Sequence, residues 1–478
     1  MPSKKIVCLG GGGGYFGGVI HDLIINEELK GSEIAVYDIN MERAQKNADY
    51  GQTISNVAGA NFKVHAVKDL AKAVDGADFG IASIGGIGGD KQGFHDPAGV
   101  HTKDIVTCAR YGIFQIIGDT SGPAAMMAAF RTIPIYYEMC LEMQKRSPRA
   151  VFINHANPMA MLCRAMCKYT NIKTVIGLCH GVQGGKEFLS QLLNIPMGEL
   201  DVVWIGTNHY YWFTEIYHKG KDISGEVKKR MARHQTEANE VMYKKLCSIY
   251  GYQITYPSDN HIIEFYPFLA QLKDGSQLPY RFKEAGHGPE TIDLYAKHGL
   301  AGKVKPRKPV RAGPRPKPRS RQEWLDAVIK NFTKELNEIK SRSNQAVDIE
   351  KEMAKGEKIG YLVGAIATGR RHVHVVNIPN KGAIPNLPHE AVLEIEGVTD
   401  SHGIRGVYMG EAPIALKGLL ESTIAYQEVV VDAAIKGSKQ LALQALMLDK
   451  MAILPDKAEA MLNALLVNSK NFLPQFKK

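Results

Sequence analysis

A cysteine and a histidine far apart in the chain are the first residues with distinctive chemistry. Cys179 ends the apolar run TVIGLC, and His209 lies in GTNH. A thiolate and an imidazole are both good ligands for Mn, Fe, Co, Ni or Zn. The same pair could instead act as a nucleophile and its base. Spacing alone leaves both interpretations open.

More polar residues follow apolar, strand-like runs. Asp119 ends FQIIGD, Asn154 and Asn157 lie in NHANP, and His180 follows Cys179. In a doubly wound sheet, ligands bind outside the carboxyl ends of the strands. Each residue could separately cap a helix or a turn. Their repeated placement at strand ends favours a shared site instead.

A glycine-rich turn near the start predicts a dinucleotide site. Gly10, Gly11, Gly12 and Gly14 lie between the apolar run KKIVCLG and a helical pattern. Glycines let the backbone approach a pyrophosphate, which then sits at the helix N-terminus. Asp38 ends the next apolar run, EIAVYD. An acid there can bind ribose hydroxyls and repel a 2′-phosphate, so the pattern favours NAD over NADP.

These residues require an α/β scaffold. Strand-like runs alternate with helical patterns up to about residue 200, which predicts a Rossmann-type doubly wound parallel sheet. Residues 201–217, 372–378 and 391–396 also read as strands, 223–250 and 322–342 as helical, and 411–470 as a helical tail. We therefore predict an NAD-binding domain at 1–200. An α+β domain for substrate, metal and oligomerisation is predicted at 201–478.

Composition limits the classes of function. The net charge is +10, but residues 303–321 alone contribute nine Lys or Arg and no acid. We interpret this stretch as a basic, proline-rich loop, since proline forbids a regular helix. No aromatic residue lies among the charges to stack on bases, so nucleic acid is not an expected partner. Neither a membrane span nor a signal peptide is predicted, and we expect a cytoplasmic protein.

The motifs resemble those of glycoside hydrolase family 4, the NAD- and metal-dependent glycosidases. The resemblance covers most of the chain. Its lactate and malate dehydrogenase relatives share only the nucleotide-binding half. The matching segments are the glycine turn at 10–14, GDTSGP at 118–123, NHANPMA at 154–160, GLCHGVQGG at 177–185, GTNH at 206–209 and NIPNKGAIPNLP at 377–388.

This resemblance implies a role for each matching residue. Cys179 and His209 match the two metal ligands, usually for Mn²⁺. Asn157 matches a residue that contacts the substrate near the metal, and Asp119 matches an acid in the GxDTxGP motif. Asp259, in YPSDNH, falls near the position of the base that acts on the sugar C2.

Alternatives remain for the base and the acid. Tyr256 or His261 could take the place of Asp259 as the base. Either Asp119 or His180 could protonate the leaving group. The family mechanism would then be C3 oxidation with NAD, C2 deprotonation, elimination and water addition, unlike the usual two-carboxylate route.

The residue after the metal cysteine bears on the substrate. Family members acting on 6-phosphoglycosides have Asp or Asn there, whereas His180 matches those acting on unphosphorylated α-glycosides. We therefore predict an α-galactosidase or α-glucosidase, active as a homodimer or homotetramer. An α-glucuronidase or α-galacturonidase is the alternative, and would need a cation for the carboxylate. The candidates are Arg370, Arg371, Lys381 and Arg405. A 2-hydroxy acid dehydrogenase is the alternative from another class.

Overall fold

Six parallel strands form the first part of a large central sheet. The computed structural model describes residues 3–84, 99–234, 241–257, 259, 261–278, 288–305, 320–342, 358–400, 403–451 and 453–476. The strands run in the order 3-2-1-4-5-6, which confirms the predicted Rossmann-type sheet. They are β1 (Lys5–Leu9), β2 (Glu33–Tyr37), β3 (Lys63–Val67), β4 (Phe79–Ala82), β5 (Val151–Asn154) and β6 (Thr174–Gly177).

A smaller antiparallel sheet follows in the chain. The predicted strand region at 201–217 divides into a hairpin, and Asn208 and His209 form its turn. The four strands are β7 (Leu200–Thr207), β8 (Tyr210–His218), β9 (Lys221–Asp222) and β10 (Gln253–Ile254). Much of the hairpin is buried, so its turn is held close to the rest of the molecule.

Three later strands return to the large sheet and extend it to nine. They are β11 (Val373–Pro379), β12 (Val392–Asp400) and β13 (Gly403–Gly406), and they pair antiparallel. Strand β11 joins β6 through Asn377 opposite Gly177. The predicted domain boundary at residue 200 is therefore crossed by one continuous sheet. The division into 1–200 and 201–478 stays a prediction.

Helices cover the sheet and form the C-terminal part of the chain. Helix α5 carries the row of buried small residues and methionines that packs into the main core. The helices are α1 (Tyr15–Ile24), α2 (Met41–Ala58), α3 (Leu70–Val74), α4 (Val100–Arg110), α5 (Gly122–Arg146), α6 (Met159–Tyr169), α7 (Gly181–Leu193), α8 (Ser224–Arg233), α9 (Val241–Tyr250), α10 (Gly288–Lys297), α11 (Arg321–Arg342), α12 (Ile359–Thr368), α13 (Ile414–Lys436), α14 (Lys439–Leu448) and α15 (Pro455–Asn468).

One predicted strand is wrong. The run FQIIGD at 114–119 has the apolar character of a buried strand but pairs with no strand in the described part of the chain. Its backbone is satisfied by side chains instead. Glu264 accepts the N–H groups of residues 116, 117 and 118, at 2.7, 2.7 and 3.0 Å. The hydroxyl of Thr291 donates to the carbonyl of residue 116 at 2.8 Å, and Tyr295 donates to that of residue 115.

Two further expectations concern the surface. Most of the basic stretch at 303–321 lies outside the described residues, so its interpretation as a loop stays a prediction. Within the described ranges, no helix has both the length and the apolar character needed to cross a membrane.

Candidate active site

Cys179 and His209 lie next to each other in the folded chain. The Cys179 Sγ is 3.7 Å from the His209 Nε2, and both residues are buried. A metal bound to sulfur at about 2.3 Å and to nitrogen at about 2.1 Å, with a tetrahedral angle, separates those atoms by about 3.6 Å. The observed spacing therefore fits two ligands of one metal ion. A thiolate and an imidazole are also the right donor set for a divalent transition metal.

Two different elements present this pair. Cys179 lies two residues beyond the end of β6, at the carboxyl edge of the parallel sheet. His209 occupies the hairpin turn between β7 and β8, with a φ of 59°. This left-handed conformation is uncommon for a residue other than glycine. The local backbone must therefore be held by contacts from outside the turn.

Asp259 and His261 extend the site behind His209. The Asp259 Oδ2 is 3.4 Å from the His209 Nδ1, and its Oδ1 is 2.9 Å from the His261 Nδ1. The two imidazole rings stack with centroids 3.7 Å apart. A carboxylate on the second nitrogen of a metal-binding histidine is a common arrangement, because it fixes the ring orientation.

Asp119 and Asn157 complete the chain of contacts. The His261 Nε2 is 3.2 Å from the Asp119 Oδ1, and the Asn157 Nδ2 donates to the Asp119 Oδ2 at 3.0 Å. The Thr120 hydroxyl also donates to Asp119 at 2.6 Å. The structure therefore brings together five sequence-predicted residues: Cys179, His209, Asp259, Asp119 and Asn157.

Neighbouring groups lower the pKa values of Asp119 and Asp259 and raise the pKa of His209. Burial acts to raise the pKa of Asp119, but His261 and the hydrogen bonds hold that pKa well below its usual range. Burial also acts to raise the pKa of Asp259, but His209 and His261 hold that pKa below its usual range. Burial alone would lower the pKa of His209, but Cys179 and Asp259 raise it well above its usual value. The negative groups that hold a proton on this imidazole would also attract a divalent cation.

The remaining catalytic candidates border this chain of contacts. His180 precedes α7 and is exposed, next to the buried Cys179. Tyr256 lies against Gly184 of α7, where an added Cβ would be 3.1 Å from its ring. Burial raises the pKa of Tyr256 well above its usual value, with Asp259 and Cys179 adding to the effect. Asp259, Tyr256 and His261 thus all stay candidates for the base.

The glycine turn forms a tight cradle at the start of α1. The Asp38 Oδ2 accepts the Gly12 N–H at 2.9 Å. An added Cβ would be 2.6 Å from Val36 at Gly11 and 2.9 Å from Asp38 at Gly12. Gly10 has a φ of 79°. Only glycine suits these close approaches, and a tight glycine turn at the start of a helix is the kind of element that binds a pyrophosphate.

The four cationic side chains that could pair with a uronate carboxylate either bind other acids or are exposed. Glu28 binds Arg370 in a bidentate pair at 2.7 and 3.0 Å. Arg405 is 62% exposed and pairs with Asp400 at 3.4 Å. Arg371 and Lys381 are exposed. These four residues therefore do not identify a carboxylate pocket.

Two buried acids near the site, Glu264 and Glu394, are not predicted from the sequence. Glu264 holds the segment before Asp119, and Glu394 accepts hydrogen bonds from Asn208 and Asn377. Each acid lies in an apolar run, which is the one signal that could have singled it out. Their partners are too distant in the chain for spacing to reveal.

Comparison with known proteins identifies the family. Residues 5–195 match the family model of Family 4 glycosyl hydrolase, and residues 204–452 match that of its C-terminal domain. The chain is 29% identical over 453 residues to an alpha-galactosidase of Bacillus subtilis (strain 168), covering 93% of each. It is 26% identical over 474 residues to an alpha-galacturonidase of the same organism, covering 96% of each.

Solved structures share the fold. A 6-phospho-alpha-glucosidase from gut microorganisms, in complex with NAD and Mn²⁺, aligns with a TM-score of 0.69 at 20% identity, covering 100% of both chains. A 6-phospho-beta-glucosidase from Thermotoga maritima, with NAD and glucose-6-phosphate, gives 0.69 at 19% identity, covering 98% of this chain and 99% of that one. The chain belongs to family 4 of the glycosyl hydrolases.

Proposed function

We propose that the protein hydrolyses unphosphorylated α-glycosides of the α-galactoside or α-glucoside type, and requires NAD and a divalent metal such as Mn²⁺. The main support is the 3.7 Å separation of Cys179 Sγ and His209 Nε2, with a carboxylate behind the histidine. A hydrolase using only two carboxylates would not need this thiol and imidazole. Relatives named for α-galactoside cleavage support the substrate class.

The cofactors fit residues already described. The glycine turn with Asp38 would hold NAD, and Cys179 with His209 would hold the metal. When bound, NAD would accept hydride from C3 of the sugar, and the metal would polarise the neighbouring oxygens as a Lewis acid.

The protein's own residues would then orient the sugar and move protons. Asn157, held by Asp119, would bind a sugar hydroxyl near the metal site. Asp259, which His209 and His261 keep ionised, would remove the C2 proton, with Tyr256 and His261 as the alternatives. Because the pKa of Asp119 is low, it has no proton to give at neutral pH. His180 is therefore the better candidate for protonating the leaving group.

A substrate panel tests this proposal. The enzyme is assayed with p-nitrophenyl α-galactoside, α-glucoside, α-glucuronide and α-galacturonide at equal concentration, with NAD⁺, Mn²⁺ and a reductant. We expect a neutral hexoside to be preferred, since a pocket built for it leaves a uronate anion unpaired. Preference for the uronate by several decades would favour the alternative raised by the α-galacturonidase relatives. Inactivity on every substrate would contradict the glycosidase proposal.

A further inference from the structure

Glu394 is a fully buried carboxylate near the proposed metal ligands but outside the roles assigned above. It lies in β12 with no exposed surface. Its Oε1 accepts the Asn208 Nδ2 at 3.2 Å and the Asn377 Nδ2 at 3.0 Å. Both asparagines are also buried. One oxygen therefore joins two side chains from different elements.

These two elements are the ones that lead to the metal ligands. Asn208 directly precedes His209 in the hairpin turn. Asn377 of β11 pairs with Gly177, two residues before Cys179. Their approach is close, since a Cβ added at Gly177 would be 2.9 Å from the Asn377 Cβ. Through its two hydrogen bonds, Glu394 connects the segment carrying His209 to the segment carrying Cys179.

Strand β12 also holds the hairpin through its backbone. The Trp204 indole N–H donates to the Glu394 carbonyl at 2.8 Å, and the Thr207 hydroxyl donates to the Val392 carbonyl at 3.3 Å. Both contacts hold β7 just before the turn, whose histidine has a left-handed backbone. A non-glycine residue keeps such a conformation only when surrounding contacts enforce it.

We propose that Glu394 is a positioning residue that sets the separation of Cys179 and His209. This inference rests on the proposed metal ligation. Glu394 would act through Asn208 and Asn377 rather than by touching the metal or the substrate. Groups that orient metal ligands typically change metal affinity ten- to a hundredfold when they are removed.

Three variants of the full chain separate hydrogen bonding from charge. Glu394→Ala removes the shared acceptor. Glu394→Gln keeps it, because one amide oxygen can replace Oε1, while Oε2 has no hydrogen-bond partner among the described residues. Glu390→Gln removes a carboxylate with 69% exposure shortly before β12, as a matched control. Mn²⁺ dissociation constants are measured by calorimetry, and the thiolate-to-cobalt absorption of the Co²⁺-loaded protein reports on Cys179.

Glu394→Ala should bind Mn²⁺ at least about tenfold more weakly and change the cobalt spectrum. The two glutamine variants should stay close to the parent protein. An unchanged affinity in folded Glu394→Ala would overturn the inference, as would an equal loss in Glu394→Gln. If Glu394→Ala does not fold, Asn208→Ala takes its place. This variant should also bind Mn²⁺ at least about tenfold more weakly, and an unchanged affinity would overturn the inference. Failure of the parent to bind Mn²⁺ would instead refute the metal assignment, and the inference with it.

Discussion

At the scale of single residues, Cys179 should decide whether the site holds a metal. We expect Cys179→Ser to lose Mn²⁺ binding and activity while keeping the fold, because a hydroxyl is a much poorer ligand than a thiolate for such metals. Metal content, activity and circular dichroism are the measurements. Cys167→Ser is the control, since that thiol lies on α6 and is only partly buried. Full metal content in Cys179→Ser would show that this assignment is wrong.

Residue types, local motifs and the family resemblance together predict the members of this candidate site. Cys179, His209, Asp259, Asp119 and Asn157 are all named from the sequence, and all lie in one chain of contacts. Their exact order was not predictable, because it depends on side-chain direction at strand ends. Glu394 is not predictable from the sequence for a similar reason, because its partner Asn208 lies 186 residues from it in the chain.

At the scale of elements, the segment before Asp119 shows how side chains can replace strand pairing. Glu264 is 1% exposed and binds three successive N–H groups of this segment. Apolar periodicity cannot distinguish such a segment from a buried strand, because both exclude water from the same residues. The other predicted strands formed, since their N–H and C=O groups meet neighbouring strands.

Glu264 should make the free energy of unfolding depend on pH. Burial raises its pKa from 4.5 to about 7. Between these values the native protein keeps a proton that the unfolded chain has lost. The free energy of unfolding should therefore fall as pH rises through this window, by up to about 3 kcal/mol from this group. Glu264→Gln should lose this part of the slope in urea titrations.

The control for this prediction is again Glu390→Gln. That carboxylate is largely exposed, so its removal should leave the pH slope of stability unchanged. A Glu264→Gln protein with the same slope as the parent would show that this group is not responsible. The comparison uses the change of unfolding free energy with pH rather than the unfolding free energy itself. It therefore separates the titration of Glu264 from the hydrogen bonds that Glu264→Gln loses.

At the scale of the whole molecule, a buried ion pair between α4 and α5 also contacts the end of α15, far along the chain. Arg131 of α5 donates to Asp104 of α4 at 2.7 Å and to the Ser469 hydroxyl at 2.6 Å. The Arg131 and Asp104 side chains are 1% and 0% exposed. Together with the nine-stranded sheet, the hydrogen bond from Arg131 to Ser469 joins regions that the sequence predicts as separate domains.

Removing one partner of this pair should be costly. We expect Asp104→Ala to lower the free energy of unfolding by about 3–5 kcal/mol, because Arg131 stays buried without its counter-charge. Glu226→Gln, which breaks an exposed pair with Arg230, should have a far smaller effect on stability, because solvent screens that pair. Urea denaturation compares the two. Similar, small effects of the two substitutions would mean that Arg131 does not depend on Asp104 as its buried counter-charge.

We expect the glycosidic bond to be cleaved only after oxidation and deprotonation of the sugar ring. The most direct measurement is hydrolysis in D₂O with NAD⁺ and Mn²⁺, followed by NMR of the released sugar and absorbance of NADH. A base that removes the C2 proton exchanges it with solvent, so we predict deuterium at C2 of the product and no net accumulation of NADH. Sugar released without deuterium at C2 would contradict the redox-elimination route, and stoichiometric NADH would indicate a dehydrogenase instead.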